Sequence, residues 1–350
     1  MCKDTFNQSK EKTVYLEICR IIAIFCIMYQ HTGGRGADAW QYTDSRWIYL
    51  VSLIGNIIGC IGVPIFWMIS GALLLSKKES WKKVYGKRIP RIAGALIIFS
   101  AIRYFYQCIA GKQGVSVGEF FRQFYMQEIF IPYWFLYEYL GILLVLPFLK
   151  KMMQNLTDQE KKVFFFLILG WNLFNDISKI YWEAGLLLDL PFSNSLFYFI
   201  LGYLIENCQM LRRSDKRGLW FSIGTAVFVI GGIYIRIHGQ HELLALVSTI
   251  KESLLMLLTL SVYYVTRYIS EKIKWNSSMM HRFILWCGNH VFGIYLIEDY
   301  LRNATAVICD KLESYIYSIP ACCIWLLVVF LIGNVLIAGM HRLPLLRKIL

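Results

Sequence analysis

The sequence predicts an all-α, polytopic integral membrane protein, a bundle of about ten transmembrane helices. Three observations lead there. First, the 350 residues are 57% hydrophobic and 16% aromatic with a mean hydropathy of +0.50, and only 17% are charged, against about 25% in a soluble domain. Second, apolar stretches close to the roughly 20 residues that a helix needs to cross a bilayer recur along the chain. Third, Lys and Arg gather in alternate loops. If the N-terminus is cytoplasmic, the inner segments hold 24 of the 36 cations and the outer loops 8, as the positive-inside rule requires. Both termini are therefore expected in the cytoplasm, with the chain in the cell (inner, cytoplasmic) membrane. The net charge of +13 belongs to those loops and is not a nucleic-acid surface.

The expected spans, in order, are 14 to 31, 49 to 75, 89 to 109, 130 to 149, 161 to 176, 192 to 207, 218 to 236, 243 to 266, 283 to 301 and 317 to 340. The first is read as a retained helix rather than a signal peptide, because Glu17 and Arg20 interrupt its start and no small-residue cleavage site follows. In the second, Gly55 and Gly59 form a small-x-x-x-small pair and Pro64 can kink the helix. The third opens on "KRIPRIAG", with Pro90 suited to a helix N-terminus. The fifth, "VFFFLILGWNLFND", is short and polar at its end, which also fits a re-entrant segment. Cys19, Cys26, Cys60, Cys287 and Cys323 fall inside spans, where cysteine is a small hydrophobe. The whole of 1–350 reads as a single domain, membrane-embedded over about 14 to 340, with no separate soluble part.

Polar residues inside such spans are the informative ones, since a charge near mid-bilayer costs about 3 kcal/mol or more unless it faces a partner or a watery cavity. In "RIIAIFCIMYQH" Arg20 and His31 share one helix face, roughly 16 Å apart. Glu17 stands one turn before Arg20 and can pair with it. A snorkelling Arg20 with an interfacial His31 satisfies the same spacing. Arg88 and Arg91 share a face at the cytoplasmic start of the third span, where they can grip phosphate or simply serve as positive-inside charge. Arg103, Glu138, the Lys251–Glu252 pair, His290, Glu298 and Asp299 are further intramembrane polar groups. Glu298 lies at a depth similar to His31 and can accept an N–H from its ring. His238 and His241 in "HGQH" have no third ligand in view and read as loop residues, so no metal is expected. Ser70 is a conceivable nucleophile, but a packing serine is the simpler account.

Five stretches, in the same order along the chain, resemble the bacterial membrane-bound acyltransferase family 3, whose members O-acylate cell-surface glycans. They are "LEICR" followed after ten residues by His31, "GVPIFWMISGALL" at 62 to 74, "RIPR" at 88 to 91, "YWFLYEYLGILLVLPFL", and "FGIYLIE". Two positions depart from the family pattern: Glu17 stands where Asp is common, and Glu298 where His is common. The periplasmic esterase-like domain of some relatives has no counterpart here.

The resemblance implies a cytoplasmic acyl-CoA donor (acetyl-CoA or another short acyl-CoA), an acceptor hydroxyl on a surface glycan or its lipid-linked precursor, and His31 as the catalytic residue. Arg88 and Arg91 would bind the anionic donor. Arg20, Glu17 and Glu298 would take electrostatic or orienting roles, and Arg103, Glu138 and Ser70 would line the substrate path. His31 would act either as a base or as a transient acyl carrier. Two other readings fit the same helices: a carrier that moves its cargo without chemistry, and a subunit that relays acyl groups to an extracellular partner enzyme.

Overall fold

The computed structural model describes residues 2–112, 114–182, 194–212, 222–225, 251–273, 275 and 279–350, and among them every regular element is helical. The span expected at 218 to 236 lies outside the described residues except for 222–225, as do the start of the one at 243 to 266, His238, His241 and the Lys251 side chain. In chain order the helices are α1 (Cys2–Gln30), α2 (Arg46–Gly59), α3 (Gly62–Leu74), α4 (Ile89–Ile109), α5 (Val117–Tyr125) and α6 (Trp134–Asn155). They continue with α7 (Asp158–Trp182), α8 (Asn194–Asn207), α9 (Lys251–Lys272), α10 (Met279–Glu313), α11 (Ser318–Met340) and α12 (Pro344–Ile349). Among the described residues, five helical stretches are long and apolar enough to cross a membrane: Arg46–Leu74, Trp81–Ile109, Ile131–Asn155, Glu252–Lys272 and Ser318–Met340.

The chain divides into two compact units, Met1–Ser76 with Leu156–Val335, and Lys77–Asn155 with Leu336–Leu350. In the first, α1 is the hub and packs against α2, α3, α9 and α10. Val14, Leu16, Cys19, Ala23, Ile24 and Met28 are all but sealed from solvent. A helix apolar around most of its girth is stable only where neighbours cover it on several sides, and α1 meets that condition.

The stretch expected at 49 to 75 falls within one candidate crossing, Arg46–Leu74, built of α2 and α3 in series. The α-helical bonding is interrupted at Cys60–Ile61, both still in the right-handed helical region, and resumes with Pro64 in the first turn of α3, where its missing N–H leaves no helical bond unmade. Gly55 and Gly59 receive the Tyr29 ring and the Gln30 side chain of α1, which any Cβ would strike. The tightest crossing joins α3 to α8. A Cβ at Gly71 would land on the main chain of Phe199, and one at Gly202 on the main chain of Met68. Expected span 161 to 176 lies within one helix, α7, 25 residues long.

Helices α1 and α10 run parallel. Glu17 lies against Gly288 near one end, and the Arg302 guanidinium reaches the main-chain oxygen of His31 at the other, with the same sequence offset of 271 in both contacts. Helix α11 runs back along α10, with His290 near Asn334 (3.3 Å) and the Trp325 indole donating to Thr305 (2.9 Å).

In the second unit a π-helical turn, Val84–Arg88, feeds α4. The Tyr85 hydroxyl donates to the Leu144 carbonyl of α6 (2.8 Å), and the Tyr137 hydroxyl to the Phe124 carbonyl at the end of α5 (2.6 Å). Ser116 caps α5 by accepting from the Glu119 N–H (3.3 Å).

The α3–α8 crossing yields a test. Gly71→Ala or Gly202→Ala sets a methyl against backbone that cannot rotate away, so each should lower stability by about 1–3 kcal/mol or more. Gly170→Ala, in α7 with nothing within 4 Å of its would-be Cβ, should be neutral or stabilising by a few tenths of a kcal/mol to about 1 kcal/mol. Thermal melts of the three variants in detergent check the contrast.

Candidate functional site

Helix α1 ends at Gln30, and His31 stands just beyond, its N–H bonded to the Ile27 carbonyl (3.1 Å). The turn that follows is held down on several sides. The Thr32 hydroxyl donates to the Tyr29 carbonyl (2.6 Å) and accepts from the Ala37 N–H (2.9 Å), while Ser52 and Asn56 of α2 donate to the Gly36 and Ala37 carbonyls (2.6 and 3.0 Å). Gly33 adopts φ +56°, a left-handed conformation that glycine enters without Cβ strain. His31 therefore sits on a rigid corner with its ring part-exposed, at 26%.

Its Nδ1 lies 2.7 Å from Oε1 of Glu298, a carboxylate only 1% exposed. The other oxygen, Oε2, accepts from Nε of Arg302, whose Nη2 reaches Oδ1 of Asp299 (3.2 Å). A buried carboxylate needs both lone-pair directions filled and its charge balanced. Here an imidazole and a guanidinium do so from opposite sides. The i, i+4 spacing of Glu298 and Arg302 and the i, i+3 spacing of Asp299 and Arg302 bring both acids to one cation on a helical face. Because an ionised carboxylate is acceptor-only, Nδ1 is the nitrogen that donates to it, and a neutral ring so held has its lone pair on Nε2.

At the other end of the shared α1–α10 seam, Glu17 pairs with Arg20. Its Oε2 is buried against Gly288 and has no hydrogen-bond partner among the described residues. Arg20 and His31 do not meet, being eleven residues apart along one straight helix. Ser70 is half-buried on α3 beside Gly71, in the helix that packs against α8.

The remaining expected site residues belong to the second unit. Arg88 gives its Nε and Nη2 to the two oxygens of Glu79 (2.8 and 2.9 Å), and Lys83 approaches the same carboxylate (3.2 Å). The Arg88 guanidinium holds the Glu79 carboxyl far down, at about 2. Arg91 donates to the main-chain oxygens of Ile349 (3.1 Å) and Leu350. The two guanidiniums start the same helix yet grip different partners. Arg103 stacks over Phe130 with its centre 4.6 Å from the ring, and Glu138 is partly buried on α6.

Three features escaped the sequence reading. Arg302 counted there as an outer-loop cation, although its spacing from Glu298 was the available signal. Arg267 counted as a cytoplasmic-loop cation, yet it is 6% exposed. It pairs with Glu206 (3.4 Å) and Glu271 (2.8 Å), and Glu206 also accepts from Tyr15 and Tyr263. That cluster ties α1, α8 and α9 together, and an acid inside the apolar run "LFYFILGYLIEN" was its trace. Glu79, nine residues before Arg88, was the third. Among the described residues no three His, Cys, Asp or Glu side chains gather as a metal site would need.

A family profile described as an acyltransferase domain matches residues 13–338. That is nearly the whole chain, so the chain belongs to the acyltransferase 3 family. It is also 29% identical over 116 residues to the regulator of hypoxia-inducible factor 1 of Caenorhabditis elegans, a match covering 28% of this chain and 23% of that protein. The chain thus spans about a quarter of the length of this curated relative. No solved structure matches it.

The Glu79–Arg88 pair carries a pH dependence of known sign. A carboxyl whose folded value is held at about 2, below its ordinary 4.5, stabilises the fold fully above 4.5 and loses that contribution as the pH falls toward 2. The melting temperature of the purified protein should fall across that window. In Glu79→Gln this part of the fall should be absent.

Proposed function

We propose that this chain is a membrane O-acyltransferase that moves an acyl group, most simply acetyl, from cytoplasmic acyl-CoA to a hydroxyl of an envelope polysaccharide or its lipid-linked precursor. The observation that carries the reading is the His31 Nδ1 to Glu298 Oε1 contact of 2.7 Å, in a chain that belongs to an acyltransferase family. An imidazole anchored through Nδ1 by a buried carboxylate has its second nitrogen free to accept a proton near neutral pH.

In the proposed step, Nε2 of His31 takes the proton of the acceptor hydroxyl while that oxygen bonds to the thioester carbonyl carbon. The carbon–sulfur bond then breaks, and the departing thiolate of coenzyme A recovers the proton from the imidazolium. Glu298 supports the transient positive charge on the ring. Arg88 and Arg91 are the proposed holders of the donor's phosphates, since guanidinium forks suit phosphate oxygens and the start of α4 adds its own positive partial charge. Glu79 occupies the Arg88 fork in the structure, so a phosphate would share or displace that contact. A cytoplasmic position for both ends of the chain, in a bundle of ten spans, belongs to the same proposal.

Inside-out vesicles given labelled acetyl-CoA should transfer label to lumenal glycan. His31→Ala should cut turnover roughly 10²- to 10⁴-fold without loss of folded protein. Retained counterflow of acetyl groups in a turnover-dead His31→Ala protein would instead mark a carrier. Arg88→Gln should raise the KM for acetyl-CoA by roughly tenfold or more, the worth of one charge-assisted contact, and leave kcat nearly as it was.

A further inference from the structure

We propose that Arg302 is a positioning residue that fixes the ring of His31 in its reactive tautomer and holds that ring at the end of α1. This rests on the base reading of His31. It goes further by assigning the state of the ring to a residue that touches neither nitrogen.

Three contacts made by one planar guanidinium carry the argument. Nε donates to Oε2 of Glu298, Nη2 to Oδ1 of Asp299 (3.2 Å), and Nη1 to the main-chain oxygen of His31 itself. The first holds the carboxylate that grips the ring, the second ties the guanidinium to the next acid on α10, and the third holds the backbone that carries the ring. A carbonyl just past a helix C-terminus has no helical N–H to meet and favours a cation. Arg302 supplies that cation to α1 from α10. With the guanidinium on Oε2, Oε1 is left to Nδ1–H of His31. A lysine cannot reproduce this, because its ammonium is a single point and the three acceptors lie in different directions.

The setting separates this role from ordinary surface pairing. Glu298 is 1% and Arg302 9% exposed, whereas the neighbouring Arg35–Asp310 pair is 43% and 51% exposed and contributes little. The titratable groups around the end of α1 include Tyr29 on α1, Glu298, Asp299, Arg302, Cys309, Asp310 and Glu313 on α10, Cys322 and Cys323 on α11, and Arg35 and Asp38 in the following turn. Among these, contact with the His31 ring comes from Glu298.

The test uses the full chain in vesicles, with acetyl-CoA as the donor probe and a nitrogen-15 histidine label read by solid-state NMR. Six histidines are present, so the His31 signal is taken as the difference from His31→Gln. In the unsubstituted protein the label should show protonated Nδ1 and bare Nε2. Arg302→Gln should lose that single tautomer and lower kcat per folded molecule by about 100-fold, the scale of a misplaced reacting group, with the KM for acetyl-CoA changed by no more than about twofold. Arg302→Lys should recover part of kcat. The double variant Glu298→Gln/Arg302→Gln removes both charges together and so guards against misfolding from an unpaired buried carboxylate. It should be as slow as Arg302→Gln alone.

A folded Arg302→Gln protein with full kcat and an unchanged Nδ1–H signal overturns the proposal. So does a loss that tracks only the amount of folded protein. If His31→Ala keeps its turnover, the base reading fails, and the tautomer spectrum still decides whether Arg302 sets the ring.

Discussion

A carboxylate removed from water must be neutralised where it stands, and Glu298 is the point on which this structure turns. Its two oxygens face an imidazole and a guanidinium, and the distances leave room for nothing else between them. The energetic asymmetry of such a site is large. Deleting one partner of a buried pair costs about 3–5 kcal/mol, although the intact pair contributes little over an apolar replacement. The arrangement is therefore better understood as a device for orientation than as a source of stability. It sets one ring nitrogen against the carboxylate and turns the other away, which suits the base role proposed for His31.

The rest of the first unit serves that geometry by keeping α1 still. Interior helices cannot be held by hydrophobic contact alone when lipid is as apolar as they are, so close approach and polar contacts take over. Gly55 and Gly59 let α2 close on Tyr29 and Gln30, and Gly71 and Gly202 bring α3 and α8 to backbone contact. The Tyr15–Glu206–Tyr263–Arg267 cluster pins the middle of α1 to α8 and α9. A histidine at the tip of a helix inherits whatever rigidity the shaft has.

Much of this was legible in the residues. The all-helical class followed from composition and span length, because a bilayer permits little else. The equal depth of His31 and Glu298 followed from counting along two apolar runs, and the Glu17–Arg20 contact followed from helical spacing. The rest failed for identifiable reasons. Arg267 and Arg302 stand where interfacial cations are common; the burial of Arg267 depended on Glu206 on another helix, whereas Arg302 lies one turn from Glu298 on its own helix. Glu79 and Arg88 meet across a turn whose π-helical geometry local spacing rules do not encode. Pairings between distant elements are set by tertiary packing, and one sequence carries no record of them.

The parallel course of α1 and α10 has a topological consequence. A chain that traverses a bilayer twice in the same direction must return to its starting side in between. If both helices cross, the stretch from Thr32 to Ser278 therefore contains an odd number of traversals, whatever its loops and partial helices look like. A single salt-bridged seam between two helices thus constrains the parity of everything threaded between them.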